Sequence, residues 1–372
     1  MTGGLVVLDA RLTRQMSVGM KAYVRELAMR LPAVAPDLRF TVVTNADLRV
    51  GPGASLQRVS ERMASNASLA EQIALPRLLR RLRPAERDRP CIAHYMSVYA
   101  PRWSPLPHLY TIHDLIHLRY PEYFSWKIRL YYRFVVSPVA RGSRAVLTDA
   151  KATLPDLERF LGVAPAGVRV VPLGVDDRFR LDEAQRASFA AEAKVRLGLT
   201  QPYFLYAGNH RAHKNLETLA RAWQQIKQPC DLVVTEDAPF AFDIDRYPRE
   251  NGRIVRPGHV EVDLLSRLYA GCAAAVQPSL YEGFGLSAVE AMAAGAPVIV
   301  AETPALLEVA GDAALTFPPR DAEALSLALV AALAGGEALE GMRARGRQRA
   351  ASYTWDATAR LTAQVYREVL EG

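Results

Sequence analysis

The chain has 372 residues, half of them hydrophobic, with 23 Gly and 24 Pro; that is too long for one ordinary core and suits two globular domains. It contains no run of 18 uncharged apolar residues, which excludes a membrane-spanning helix. The net charge of +7 is uneven, because residues 1–180 hold 27 Lys/Arg against 15 Asp/Glu and residues 181–372 hold 19 against 24. A basic first half points to an anionic partner. Its basic stretches lack interleaved aromatics and match no nucleic-acid module, so a phosphate-bearing substrate or a lipid surface is preferred to nucleic acid.

In chain order, Leu5–Leu8 reads as a first strand rather than a signal peptide, since it has no basic lead and is short; a cytoplasmic protein is expected. Ser17-Val18-Gly19-Met20 follows, then a helix over Lys21–Leu31. Gly19 either gives a ligand room for close approach or is an ordinary turn glycine. Strands are expected at Phe40–Thr44, Ile92–His94, Leu109–His113, Ala145–Thr148 and Val168–Val171. Between the first two of these, Leu75, Leu78, Leu79 and Leu82 share a helical face, with Pro76 suited to its first turn and Arg77, Arg80, Arg81 and Arg83 around it. The arginines are expected either to solvate an ordinary surface helix or to meet anionic lipid.

A polar helix over Asp182–Leu197 separates a second block, with strands at Tyr203–Ala207, Leu232–Thr235, Ile254–Arg256, Ala273–Gln277, Pro297–Val300 and Ala314–Phe317 and helices at Leu216–Ile226 and Ala322–Leu333. Two alternating strand–helix sets predict two doubly wound α/β domains with parallel sheets, 1–178 and 179–355. A terminal helix over 356–372 is expected to pack back on the first domain. Ligands of such sheets bind at the carboxyl ends of the strands, which puts the expected site in a cleft between facing domains. Cys91, Cys230 and Cys272 are too few and too far apart for a disulfide framework or a zinc site and read as buried thiols.

The most informative stretch is Ser279-Leu280-Tyr281-Glu282-Gly283-Phe284-Gly285-Leu286, continuing through Glu290 to Pro297. Two glutamates eight apart bracket a glycine turn that opens a helix. Backbone N–H groups at a helix start seat phosphate oxygens, and carboxylates accept from sugar hydroxyls, so the segment reads as a nucleotide-sugar site. Gly283-Phe284-Gly285-Leu286-Ser287-Ala288 also satisfies the dinucleotide fingerprint, with Glu302 near the place of its ribose acid. Pro278–Glu282 intervene between strand and first glycine, however, and Gly295 and Pro297 cut the helix short, so this NAD reading is the weaker one.

Three further groups carry polar chemistry. Gly208-Asn209-His210-Arg211-Ala212-His213-Lys214-Asn215 closes a strand and reads either as a solvated connection or as a cationic site for a departing diphosphate. His113, at the end of Thr111-Ile112-His113, reads either as a structural histidine or as a group orienting an acceptor hydroxyl. With Asp114 and His117 it resembles a metal cluster only superficially, and Asp243-Ile244-Asp245 reads as a surface charge pair.

Taken together, these segments resemble the retaining glycosyltransferases of family 4. The resemblance runs through Gly19, Glu71-Gln72 with Leu75-Pro76, Thr111–Asp114 with Tyr120-Pro121-Glu122, Val171–Asp176, Gly208-Asn209 through Lys214-Asn215-Leu216, and above all the E-x7-E segment. It implies the GT-B fold of two facing Rossmann-like domains. It further implies that Glu290 holds the ribose, that Glu282 contacts the donor sugar, and that N–H groups of Gly283, Phe284, Gly285 and Leu286 meet the diphosphate. Gly208 and Asn209 would line the donor, Lys214 and Arg211 would stabilise the leaving group, His113 would sit at the sugar–acceptor junction, and Gly19 would serve the acceptor or phosphate loop. No cofactor and no metal are implied; the partners are a nucleotide diphosphate sugar and a glycan or lipid-linked acceptor, with the protein expected in the cytoplasm, either free or peripheral on the inner face of the cell membrane. Gly208-Asn209 with Lys214-Asn215 most resembles bacterial mannosyl- and rhamnosyltransferases of polysaccharide assembly, favouring GDP-mannose. The chain departs from the family pattern at Ser287, where proline is frequent, at Asp149, where serine is common, and in the placing of Arg211.

Overall fold

The computed structural model describes residues 3–11, 17–60, 69–83, 90–235 and 242–371. The chain divides into two compact units, 1–174 together with 354–372, and 175–353. The division thus falls between Gly174 and Val175. A Cβ on Gly174 would lie 2.2 Å from the backbone nitrogen of Trp355, so the strand-side chain and the start of the last helix approach within unit 1 at a spacing only glycine permits.

Unit 1 is built on a seven-stranded parallel sheet. Its strands are β1 (Leu5–Asp9), β2 (Arg39–Thr44), β3 (Ser55–Arg58), β4 (Cys91–Tyr95), β5 (His108–Thr111), β6 (Ala145–Thr148) and β7 (Val168–Val170), in the order β3-β2-β1-β4-β5-β6-β7. Central β1 lies between β2 and β4, with Leu8 opposite both Val42 and His94. Strands buried on both faces need continuous apolar runs, which Leu5–Asp9 and Cys91–Tyr95 supply. The helix Val18–Val34 packs against the terminal helix Trp355–Glu371. Arg367 clamps Asp37 at 2.7 Å at this contact, and Trp355 is buried.

Unit 2 repeats the plan with six strands. They are β8 (Tyr203–Tyr206), β9 (Asp231–Val234), β10 (Ile254–Val255), β11 (Ala274–Gln277), β12 (Val298–Ala301) and β13 (Leu315–Phe317), all parallel in the order β10-β9-β8-β11-β12-β13. In both units the sheet order turns back on itself at the first strand, which puts the topological switch between β1 and β4 and between β8 and β11.

Three expectations change. The helix expected from Lys21 begins at Val18, just after Ser17, so Gly19 lies in its first turn rather than in the loop before it. Pro76 is not in a first turn but inside the helix Leu69–Leu82; proline there forgoes one N–H, and the buried Leu75 and Leu79 hold the helix in place. β5 ends at Thr111, leaving His113 beyond the sheet edge. Among the described residues no single helix is long and apolar enough to cross a membrane, and the three cysteines are buried and free.

Candidate functional site

The unit 2 cluster is assembled from the loops that follow β8 and β11. After β8 the chain runs through Gly208 and Asn209 to a single 3₁₀ turn, Ala212–Lys214. It then reverses at Asn215, whose left-handed φ of 56° starts the helix Leu216–Gln224. His210 fixes this loop through Nε2 on the Thr235 carbonyl at 2.7 Å. Tyr206 donates its hydroxyl to the Asn209 carbonyl. Two bonds tie the loop to the one after β11: the Leu280 N–H donates to the His213 carbonyl at 2.8 Å, and the Asn215 amide to the Pro278 carbonyl at 3.0 Å.

That stitching brings Lys214 and Glu282 together. The Lys214 ammonium donates to Glu282 Oε1 at 2.7 Å, each side chain 15% exposed. Burial pushes the Glu282 carboxyl up, and the adjoining lysine more than offsets it, so the group is held below its ordinary range. Arg211 stands exposed nearby in sequence, its guanidinium without an ion-pair partner among the described residues. The cluster holds one compensated cation, with exposed Arg211 three residues before it on the same loop, a composition suited to an arriving polyanion.

The glycine turn after Glu282 has a steric logic. Gly285 has φ +100°, and a Cβ there would lie 2.7 Å from Leu306 Cδ2. It caps the helix Leu286–Ala293, whose first N–H groups have no intrahelical partner. The Phe284 side chain is buried, edge-on to Tyr353 at 5.5 Å; only its backbone is available to a ligand. Glu290, one turn along the helix, is half-buried, and its carboxyl has no hydrogen-bond or ion-pair partner among the described residues. Burial, with Asp176 close by, pushes its carboxyl up to about 8. A carboxyl so placed resists ionisation and suits a hydroxyl-bearing ligand that would supply hydrogen bonds.

In unit 1 the corresponding strand ends carry a histidine network. His113 Nδ1 lies 2.8 Å from Asp149 Oδ2, and Tyr23 meets the imidazole edge-on at 4.8 Å. Behind them Thr111 Oγ1 bonds the Tyr23 hydroxyl at 3.0 Å and His94 Nε2 at 2.7 Å, and His94 Nδ1 bonds Tyr366 of the terminal helix at 2.6 Å. Burial lowers the imidazolium of His113, but Asp149 outweighs it and the ring is held above its ordinary value. Asp149 itself is raised, because its burial outweighs the attraction of His113. Buried His94, with no carboxylate, falls to about 3 and is neutral.

Asp149 is the functional candidate that sequence reasoning passed over: it was noted only as a departure from serine. The strand pairing of β5 with β6 was its available signal, since it sets the residues after Thr111 beside those after Thr148. His113, Asp114 and His117 do not converge on a metal; His117 turns to Tyr132 at 3.1 Å. Asp243 and Asp245 pair with Arg246 and Arg256. Glu302 accepts from Thr316 at 3.1 Å. Among the described residues no group of three or more His, Cys, Asp or Glu could hold a metal ion.

Comparison with known proteins fixes the family. Residues 18–179 match the family described as Glycosyltransferase Family 4, and residues 201–335 match Glycosyl transferases group 1. The chain belongs to the family 4 glycosyltransferases. The O-antigen chain mannosyltransferase B of Escherichia coli is 27% identical over 369 residues, 94% of this chain and 96% of that protein. The MMP alpha-(1->4)-mannosyltransferase of Mycolicibacterium hassiacum is 29% identical over 253 residues, 65% of this chain and 59% of its own length. Sucrose-phosphate synthase from Thermosynechococcus elongatus superposes with a TM-score of 0.77 at 22% identity, covering 99% of both chains. Anabaena Alr3699/HepE, solved with UDP and glucose, gives 0.74 at 16%, again with 99% of both covered. These likenesses establish the GT-B fold, two Rossmann-like domains on parallel sheets.

Proposed function

We propose that the protein is a retaining, metal-independent hexosyltransferase of polysaccharide biosynthesis. It would move mannose from GDP-mannose, or another hexose from a nucleotide diphosphate sugar, to a glycan or lipid-linked acceptor. The observation that carries this reading is the single strand-end cluster of unit 2: the Lys214–Glu282 pair, the glycine turn with free helix N–H groups, and the unpartnered Glu290. The names of the two mannosyltransferase relatives support the sugar and the pathway class.

In this account the N–H groups of Gly283 to Leu286 hold the diphosphate and Glu290 takes the ribose hydroxyls. Glu282 turns from Lys214 toward sugar hydroxyls when the donor arrives. Lys214 and Arg211 then neutralise the charge that grows on the departing diphosphate, an interaction stronger in the transition state than before it. The bond from the anomeric carbon to the phosphate oxygen breaks, and the acceptor hydroxyl attacks from the same face. Its proton passes to a leaving-group oxygen. On unit 1, His113, oriented by Asp149, positions the acceptor hydroxyl. No enzyme nucleophile is required, and side chains with helix N–H groups do the work a divalent ion would otherwise do.

A thermal-shift panel of UDP-, GDP- and dTDP-sugars and NAD with excess chelator tests the donor class. A ligand at 100 times its dissociation constant adds about 2.7 kcal/mol of stability. Product NMR with the stabilising donor then reads the anomeric configuration. Stabilisation by NAD alone, loss of activity in chelator, an inverted product, or acceptor-independent epimerisation of the sugar would each contradict the proposal.

A further inference from the structure

Large exposed hydrophobic side chains are scattered singly over unit 2, at Val195, Leu307 and Leu327, but in unit 1 they gather. Trp126, Leu130 and Phe134 are 60%, 41% and 59% exposed and recur every four residues along the helical segment Trp126–Gly142. That spacing sets them in one stripe. The opposite face is core, through Tyr132, Val136, Val139 and Ala140. A π-helical turn over Tyr132–Val136 widens the segment where Phe134 projects.

Along its own segment the stripe is flanked by cations, with one exposed acid, Glu122, just before it. Lys127, Arg129 and Arg133 are exposed on the same segment, and Arg133 lies against the Phe134 ring at 5.5 Å. Between Tyr123 and Thr148 there are five Lys/Arg and no Asp or Glu. Tyr131 ties the segment to the chain near Tyr99. Tyr131 packs on Tyr99 at 5.9 Å and donates to the Val98 carbonyl, and a few residues on Trp103, 56% exposed, lies under the Arg80 guanidinium at 4.6 Å. Arg80 belongs to the arginine-rich helix Leu69–Leu82, whose Arg77 and Arg81 are also exposed.

We infer that this face docks on an anionic lipid bilayer, with Trp126, Leu130 and Phe134 entering the headgroup–acyl boundary and the flanking arginines and lysine on lipid phosphates. An aromatic stripe bordered by cations, on a helix held rigidly by its other face, has the chemistry of an interfacial element. Charge selects this occupant over a second copy of the chain, since an identical face would bring like charges together. From sequence, the arginines near Leu75 were expected either to solvate an ordinary surface helix or to meet lipid; the present inference puts the apolar part of a lipid contact at Trp126–Phe134.

The test uses the full chain, without nucleotide, so its outcome is independent of the glycosyl-transfer reading. Co-sedimentation is measured with vesicles of phosphatidylcholine alone and of phosphatidylcholine mixed with phosphatidylglycerol, at low and high salt. Binding to the mixed vesicles, weakened by salt, is expected, with a blue shift of tryptophan emission that Trp126→Phe reduces. Trp126→Ser with Phe134→Ser, and separately Lys127→Glu with Arg129→Glu, should each lower vesicle partition about tenfold or more. If the aromatic pair lowers the thermal transition, the charge pair decides. Equal binding to both vesicle types, no binding at low salt, or full binding by the charge pair would overturn the inference. So would a concentration-dependent dimer that the aromatic variants abolish while wild-type protein ignores vesicles.

Discussion

Two carboxylate–cation clusters in this protein look alike in composition and differ in what surrounds them. In unit 1, Arg11 lies at the end of β1 with its guanidinium bidentate on Asp9 at 2.7 Å and 3.3 Å from Glu71, and the three are 1%, 5% and 0% exposed. In unit 2, Lys214 and Glu282 pair at 2.7 Å at a partly open strand end, beside an exposed Arg211 and an unpartnered Glu290. The first cluster is sealed, so its charges serve the fold. The second leaves a cation, a carboxyl and helix N–H groups available, so its charges serve a ligand. Openness distinguishes a site from a structural ion cluster; the mere presence of acids and bases does not.

The largest expected effect breaks the sealed cluster. Arg11→Ala strands two buried carboxylates and should destabilise unit 1 by about 3–5 kcal/mol, seen as an early phase in urea unfolding. Donor binding per folded molecule should be unchanged. An Arg11→Ala protein of wild-type stability would show that the cluster is not sealed.

Next in size is Gly285→Ala. The left-handed backbone and the 2.7 Å approach to Leu306 predict a loss of about 1–3 kcal/mol, with the turn displaced and donor affinity reduced in calorimetry. An alanine accepted without loss of either would remove the steric basis of the phosphate turn.

Glu290 gives a pH-dependent effect that opposes function. Its folded carboxyl is raised to about 8 from an ordinary 4.5. The stability it contributes is complete below pH 4.5 and is lost as pH rises toward 8, where the ionised form is poorly housed. Glu290→Gln removes this loss, so the variant should gain on wild type as pH rises through that window. The gain should grow across that window and be largest near pH 8, while donor binding weakens. Parallel stability–pH curves for the two proteins would contradict the burial of Glu290.

The smallest effect sharpens the comparison within unit 1. Asp149→Ser removes the main group opposing the burial of His113, leaving Asp114 and the Met96 backbone, so the His113 imidazole should titrate lower than in wild type. The charged ring, populated below its raised value in wild type, would then be lost at lower pH. Imidazole NMR of wild type and variant reads this directly, and an unchanged His113 titration would dissolve the pair.

The strands of both units were legible because buried parallel strands need apolar runs such as Leu5–Leu8 and Ala273–Gln277. β3 was not foreseen: Ser55-Leu56-Gln57-Arg58 is an edge strand with little apolar content, specified by its pairing with β2. The helix around Pro76 was read too short because proline's local cost was weighed without the packing of Leu75 and Leu79 that offsets it. Within the site, Glu282, Lys214 and the glycine turn stood out because their chemistry is local in sequence. The His113–Asp149 pair, the Arg11 cluster and the Trp126 stripe were silent, since each depends on strand register or on which helical face meets the core.

The central claim is that the open cluster of unit 2 stabilises a departing diphosphate, and the turnover of Lys214→Ala tests it most directly. Glu282→Gln is made alongside, and in combination, to separate loss of the cation from exposure of an unpaired carboxylate. With the donor identified by thermal shift and excess chelator present, Lys214→Ala should lower kcat about 10²–10³-fold and donor affinity much less, while the double variant regains stability but not turnover. Near-normal kcat in Lys214→Ala, or turnover restored by Glu282→Gln, would contradict it.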